Sequence, residues 1–218
     1  MSLDPDISPP NVLPLAGREP LAVGHLRYVF QHPLHNDEII KVLRADAIEA
    51  RAKIWRKRLA RTLHYVGYVR EIKEYLAARA QAGATKPPIA RMIGLVETDL
   101  GLGLVSEKVV APDGSLAPTL ADVYAGAGFT PELERALDTF REGLLAGNVI
   151  VGDLHAWNIV YGSDSRGGPR LVMIDGFGEK HAIPISSMSR AFNRHNIKRK
   201  YRRMIAQLQR LVPVGGER

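Results

Sequence analysis

The chain contains no cysteine, so disulfide frameworks, thiolate metal sites and cysteine nucleophiles are excluded together. It also lacks any apolar run near the roughly 20 residues that a membrane-spanning helix needs. Its first residues carry acids and prolines, with no basic stretch ahead of an apolar one, unlike a secretory signal. These absences lead us to expect a cytoplasmic protein with no membrane span. No internal repeat or low-complexity tract is present. The seven histidines are scattered, and none forms a pair at helical metal spacing with a carboxylate partner, so no zinc site is expected.

What is present is ordinary for a globular protein. With 218 residues and 45% hydrophobic content, the chain can build one sizeable domain or two small lobes. The formal net charge is +7 and unevenly placed. Residues 51–79 hold nine Lys or Arg against Glu71 and Glu74, and residues 190–203 hold seven with no acid. Nucleic acid, anionic lipid or an acidic protein would each satisfy such surfaces. Solvated helix faces are the plainer explanation. Nucleic acid is the least favoured partner, because no helix-turn-helix, zinc-finger or RNA-reading motif accompanies the charge.

Proline-rich residues 1–18 read as an extended lead-in. Between Pro20 and Arg44, short apolar runs broken at Gly24 and at His32-Pro33 predict three strands in hairpins, with Lys41 in the third. Residues 46–82 lack proline and place Leu59, Leu63, Val66, Val69, Ile72 and Leu76 at three- and four-residue spacing. That pattern predicts one long helix, or two broken near Gly67, ended by Gly83 and Pro87-Pro88. Strands follow over 91–97 and 103–110, around a turn at 99–101, and a short helix over 119–125. Thr130-Pro131-Glu-Leu-Glu134 combines an N-cap, a first-turn proline and early acids, predicting a helix over 131–146. A hairpin with strands over 159–162 and 170–174 comes next, then a basic helix over 187–211. This order predicts a two-lobed α+β fold rather than alternating βαβ units. Its parts are the lead-in 1–18, a sheet with the long helix over 19–110, and a mainly helical part over 111–218.

The informative run is Asn148-Val-Ile-Val-Gly-Asp153-Leu-His-Ala-Trp-Asn158, followed after the hairpin by Asp175-Gly-Phe-Gly178. Asp153 and Asn158 stand five apart on a loop after a helix, and Asp175 ends a strand beside a glycine. Phosphoryl transfer from ATP needs such a set, because its catalysis is mostly positioning and charge neutralisation. One carboxylate orients the attacking hydroxyl, while an amide oxygen and a second carboxylate hold Mg²⁺. Each residue also has a plainer use. Asp153 and Asn158 suit turns, Lys41 suits a strand edge where its ammonium snorkels, and Glu71 suits a surface pair with Lys73. His155 and Trp157 suit either substrate contact or local packing.

The sequence resembles the protein-kinase superfamily: Asp153 to Asn158 match its D-x-x-x-x-N loop, and Asp175-Gly-Phe-Gly matches its D-F-G segment with one residue inserted. The resemblance implies Asp153 as catalytic base, Asn158 and Asp175 as Mg²⁺ ligands, and Lys41 as the lysine on the ATP phosphates. It also implies Glu71 as the partner of that lysine, with Glu74 second, and Gly24 as the surviving glycine of the phosphate loop.

More closely, the chain resembles the YrbL-type family of PhoP regulatory network proteins, short bacterial kinase-like chains, from about Leu21 to Ile205. Gly94-Leu-Val-Glu-Thr-Asp99-Leu-Gly-Leu-Gly103, Ile174-Asp-Gly-Phe-Gly-Glu179, Ile183-Pro-Ile-Ser and the basic terminal helix carry that likeness. It implies a two-lobed kinase-like fold with a reduced C-terminal lobe and a link to two-component regulation.

Departures from the superfamily pattern are specific. Val151-Gly152 replaces the His-Arg before the catalytic aspartate, and Ala22 and Arg27 stand where the phosphate loop has glycines. Only 43 residues follow Asp175, with no A-P-E segment, so a peptide docked along an activation segment is not expected. The expected activity is Mg²⁺- and ATP-dependent phosphoryl transfer to an unknown acceptor. The alternatives are a pseudokinase-like regulator that binds nucleotide or an acidic protein partner, and, third, nucleotidyl transfer.

Overall fold

The computed structural model describes residues 12–52, 64–81, 86–179 and 189–211. The lead-in before Val12, helix positions Leu59 and Leu63, the stop at Gly83 and the Ile183-Pro-Ile-Ser run lie outside them. The protein is mixed α+β and divides into two compact units, Met1–Val66 with Arg91–Lys108 and Gly67–Ala90 with Val109–Arg218.

The first unit contains strands β1 (Val12–Leu13), β2 (Ala22–Val23), β3 (Arg27–Gln31), β4 (Glu38–Leu43), β5 (Met92–Thr98) and β6 (Gly101–Glu107), and helix α1 (Ala45–Ala52). The strands form one sheet in the order β1-β5-β6-β4-β3-β2. Only the β1–β5 pair is parallel; the other pairs, including β5–β6 across the turn at Asp99-Leu100, are antiparallel. Val12 and Leu13, inside the expected lead-in, therefore belong to the sheet. Leu15 is fully buried, and its N–H and that of Ala16 donate to the Asp99 carboxylate at 2.8 and 3.0 Å. Successive side chains of a strand point to opposite faces. On one face of β4, Ile40 and Val42 join Leu15, Phe30 and Val105 in a buried core. Lys41 points to the other face.

The second unit holds α2 (Val66–Gln81, within it from Gly67), α3 (Leu120–Ala127), α4 (Pro131–Ala146), a 3-10 turn (Ala156–Asn158), β7 (Ile159–Asp164), β8 (Gly167–Met173) and α5 (Arg190–Leu208). Thr119 and Asp122 close a reciprocal capping box on α3, and the Thr130 hydroxyl caps α4 ahead of Pro131, the chemistry those residue types predict. In α4, Leu133, Leu137, Phe140 and Leu144 form a buried stripe, as Ile197, Tyr201, Met204 and Leu208 do in α5; three- and four-residue spacing puts them on one face.

The hairpin is longer and its turn tighter than the predicted strands over 159–162 and 170–174 suggest. The Asp164 carboxylate accepts the Arg166 N–H at 2.9 Å, closing the turn within Ser165-Arg166. Arg166 then donates to the carbonyls of Pro87 and Ile89 at 3.0 and 2.6 Å, laying the 87–90 segment along β8. No helix among the described residues is long and apolar enough to cross a membrane.

Candidate functional site

In the second unit the chain turns sharply after α4. Asn148 adopts φ 46°, a left-handed conformation that asparagine tolerates better than most residues. The chain then runs beside the Asp175–Gly178 segment. The Gly178 N–H donates to the Ile150 carbonyl at 2.7 Å, and the Asp153 N–H to the Gly176 carbonyl at 2.6 Å. Val151 and Phe177 form an antiparallel bridge between them. The 3-10 turn brings Asn158 back, so that its Nδ2 donates to the Asp153 carbonyl at 3.1 Å. The Asn158 carbonyl accepts the Ile174 N–H at 2.8 Å. The segments that carry Asp153, Asn158 and Asp175 are thus stitched together by hydrogen bonds.

Gly176 makes this closeness possible. Its φ is +80°, and a Cβ there would lie 2.5 Å from the Asp153 carbonyl oxygen, 2.7 Å from Asn158 Nδ2 and 3.1 Å from Asp153 Cβ. Gly178, at φ +96°, likewise lets the chain approach the Arg70 carbonyl of α2, which a Cβ would meet at 2.8 Å. Both glycines of the Asp175-Gly-Phe-Gly run are therefore required by contact as well as by conformation.

The side chains differ in their surroundings. Asp153 and His155 are about 40% exposed, and His155 Nε2 lies 2.6 Å from Asp153 Oδ1. One Asp175 oxygen accepts the Gly176 N–H at 2.6 Å. With Nδ2 of Asn158 donating to the loop, its amide oxygen is the acceptor of that group. An amide oxygen and a carboxylate are hard-oxygen donors of the kind that suit Mg²⁺, so the donor chemistry of Asn158 and Asp175 fits that ion. Trp157 is 53% exposed, which disfavours the packed one of its two expected uses. A cavity of about 440 Å³ lined by Pro88, Phe140 and Leu171 shares no residue with this site.

Helix α2 supports the same loop. Glu74 is buried, and its carboxylate accepts the Ile150 N–H at 2.7 Å. Burial pushes the Glu74 carboxyl up to about 7, against the lowering by that hydrogen bond. Glu71 is 2% exposed, which rules out the solvated surface pair that helical acids usually make. From the other side, α5 reaches in with Asn193 and Lys200, two residues that the sequence reading passed over as part of a basic helix. Their signal is polar side chains two turns apart in phase with the buried stripe of that helix.

In the first unit, Lys41 is 5% exposed, so it is not a snorkelling edge lysine. Cross-strand pairing places it in a row with Ala22, Val29, Leu104 and Leu95. Gly24 lies in the β2–β3 turn, where its N–H donates to the Arg27 carbonyl at 2.8 Å. That amide closes the turn rather than facing outward.

A second cluster was not anticipated. His32, His35 and Glu38, spaced by threes across the β3–β4 hairpin, bring possible ligand atoms within 4.8 Å of one another. Burial holds the His32 imidazole below its usual range, so the ring is neutral at pH 7. The Leu34 N–H donates to His32 Nδ1 at 3.2 Å, which puts the ring proton on Nε2, the atom 4.0 Å from Glu38. A metal on Nε2 would force a proton onto Nδ1 against the Leu34 N–H, so the group is arranged as a histidine–carboxylate pair.

Residues 13–209 match the family described as PhoP regulatory network protein YrbL. The uncharacterized protein YrbL of Escherichia coli (strain K12) is 25% identical over 199 residues, covering 88% of this chain and 86% of the relative, and YrbL of Shigella flexneri gives the same values. Among solved structures, the protein kinase Rad53 in complex with AMP-PNP aligns at 15% identity and a TM-score of 0.42. That alignment covers 72% of this chain and 36% of the kinase chain.

Proposed function

The chain belongs to the YrbL family of PhoP regulatory network proteins, and from that premise we propose that it is a Mg²⁺- and ATP-dependent phosphotransferase. Its proposed architecture is two-lobed and kinase-like, with a reduced C-terminal lobe; its acceptor is unknown and its activity belongs to PhoP-type regulation. The observation that carries the proposal is the convergence of Asp153, Asn158 and Asp175 around Gly176. Three residues of the types that phosphoryl transfer uses meet where a side chain on Gly176 would exclude them.

In this proposal Asn158 and Asp175 would hold Mg²⁺, which would supply charge neutralisation for the phosphates. Asp153, half exposed, orients the acceptor hydroxyl. As the acceptor oxygen bonds to the γ-phosphorus, the bond to the bridging oxygen breaks, ADP leaves and the acceptor proton passes to the Asp153 carboxylate. Lys41 as phosphate anchor, Glu71 as its carboxylate partner and Gly24 in the phosphate loop complete the assignment.

The test is incubation with γ-labelled ATP, Mg²⁺ and a cell extract. Label transfer by the native chain and its loss in Asp153→Asn are expected; measurable nucleotide binding with no transfer by either protein sinks the enzyme reading. Product mass separates phosphorylation from adenylylation.

A second reading, a nucleotide-binding regulator without turnover, is favoured by the 2.6 Å contact of His155 with Asp153 and by the commitment of the Gly24 amide to its own turn. With His155 against it, that Asp153 oxygen is occupied by a neighbour of its own loop rather than open to an acceptor hydroxyl.

A further inference from the structure

The two residues before Asp153 depart from the His-Arg of the superfamily pattern, yet their backbone is not loose. Lys200 of α5 donates from Nζ to the carbonyls of both Val151 and Gly152, the latter at 2.9 Å. Two turns earlier, Asn193 donates from Nδ2 to the Asn148 carbonyl and side-chain oxygen, each at 3.0 Å, and to the Val149 carbonyl at 3.2 Å. Residues seven apart share a helix face. One face of α5 therefore grips the carbonyls of Asn148, Val149, Val151 and Gly152. The remaining groups face other elements, with the Ile150 N–H on Glu74, the Ile150 carbonyl on the Gly178 N–H and the Asp153 N–H on the Gly176 carbonyl.

We propose that Lys200 is the positioning residue of the Asp153 loop, doing from α5 what no side chain at positions 151 and 152 can do. The Gly152 carbonyl and the Asp153 N–H belong to one peptide group. Lys200 binds its oxygen end while the Gly176 carbonyl binds its nitrogen end. A cation on the oxygen polarises the group and strengthens the bond at the nitrogen. The peptide plane from which the Asp153 side chain projects is then held at both ends. Lysine suits this role because its ammonium has three donors and can serve two carbonyls at once. Lys200 touches neither acceptor nor nucleotide in this account, and acts through Asp153.

The proposal rests on the phosphotransferase reading for its kinetic effect, so its test carries a second readout that needs no turnover. The full chain is compared with Lys200→Met, Lys200→Arg and, as a charge control on the same helix, Lys198→Met at an exposed position. In Lys200→Met, hydrogen exchange at the Asp153 amide is expected to accelerate at least about tenfold while amides of α4 keep their protection. Phosphoryl transfer should lose roughly tenfold or more in kcat with KM for ATP changed less than about threefold, partly restored by arginine. Lys198→Met should behave as the native chain. If the native chain transfers no phosphoryl group, the phosphotransferase reading fails while the exchange comparison still decides the clamp. Unchanged exchange at Asp153, or acceleration spread equally through α4, overturns the proposal, as would a loss in Lys198→Met equal to that in Lys200→Met.

Discussion

Gly176 and Asp153 stand so close that a single methyl group on the glycine would lie 2.5 Å from the aspartate carbonyl oxygen. Backbone cannot retreat as a flexible side chain can, and φ at Gly176 is +80°. Gly176→Ala should therefore combine a conformational cost with overpacking, together about 2–4 kcal/mol. Gly114→Ala is the control, because its φ is +81° but nothing lies within 4 Å of its Cβ position. It should cost only about 1 kcal/mol. Urea unfolding of the two variants measures the difference.

Glu74 makes stability depend on pH in an unusual direction. Its folded-state pKa of about 7 lies above the ordinary 4.5, so between those values the folded protein keeps a proton that the unfolded chain has released. Stability then falls as pH rises from about 4.5 to about 7, by on the order of 3 kcal/mol. Glu74→Gln cannot ionise and its amide oxygen can still accept the Ile150 N–H. Its stability curve should be flatter across that window and lie above the native one at pH 8.

The Asp164 side chain is 1% exposed and paired with Arg166 and Arg170. Asp164→Ala takes the carboxylate from Arg170 and leaves Arg166 only its bonds to the Pro87 and Ile89 carbonyls, and should destabilise the protein by about 3 kcal/mol. Adding Arg170→Ala should recover part of that loss. A double-mutant cycle by denaturant unfolding reads the coupling.

Mg²⁺-dependent stabilisation by nucleotide separates the roles proposed for the two aspartates. Asp175→Asn should abolish the rise in Tm that Mg²⁺ adds to ATP, while Asp153→Asn keeps it and loses transfer. An equal Tm rise in Asp175→Asn would remove Asp175 from the metal site. At a ligand concentration about a hundredfold above Kd, such stabilisation is worth about 2.7 kcal/mol, enough to resolve by thermal unfolding.

Much of the fold follows from local chemistry. Thr130-Pro131 set the start of α4, alternation set the strands around Lys41, and Asp-Leu-Gly marked the turn between β5 and β6. The hairpin turn is tighter than the gap between the predicted strands at 162 and 170, because a tertiary anchor, Arg166 on the Pro87 and Ile89 carbonyls, holds it. Glu71 and Lys41 could not be told from surface charges by spacing alone, since helix and strand positions do not reveal whether another layer covers them. The His32–His35–Glu38 group escaped notice because a search at helical spacing overlooks ligand atoms gathered by a turn.

The sequence by itself determined which residues could do chemistry and on which elements they sit. Asp153, Asn158 and Asp175 have the required types and separations, and the two glycines after Asp175 permit positive φ. Tertiary structure alone decided how these residues are held. The carbonyls of Asn148, Val149, Val151 and Gly152 are bound by Asn193 and Lys200, the Ile150 amide by Glu74, and the Asp153 amide by Gly176. The physical reason is that buried backbone groups must find partners, and a loop without regular structure takes them from whatever elements pack against it. No local pattern encodes that choice, because the partners lie as far as 76 residues away in the chain.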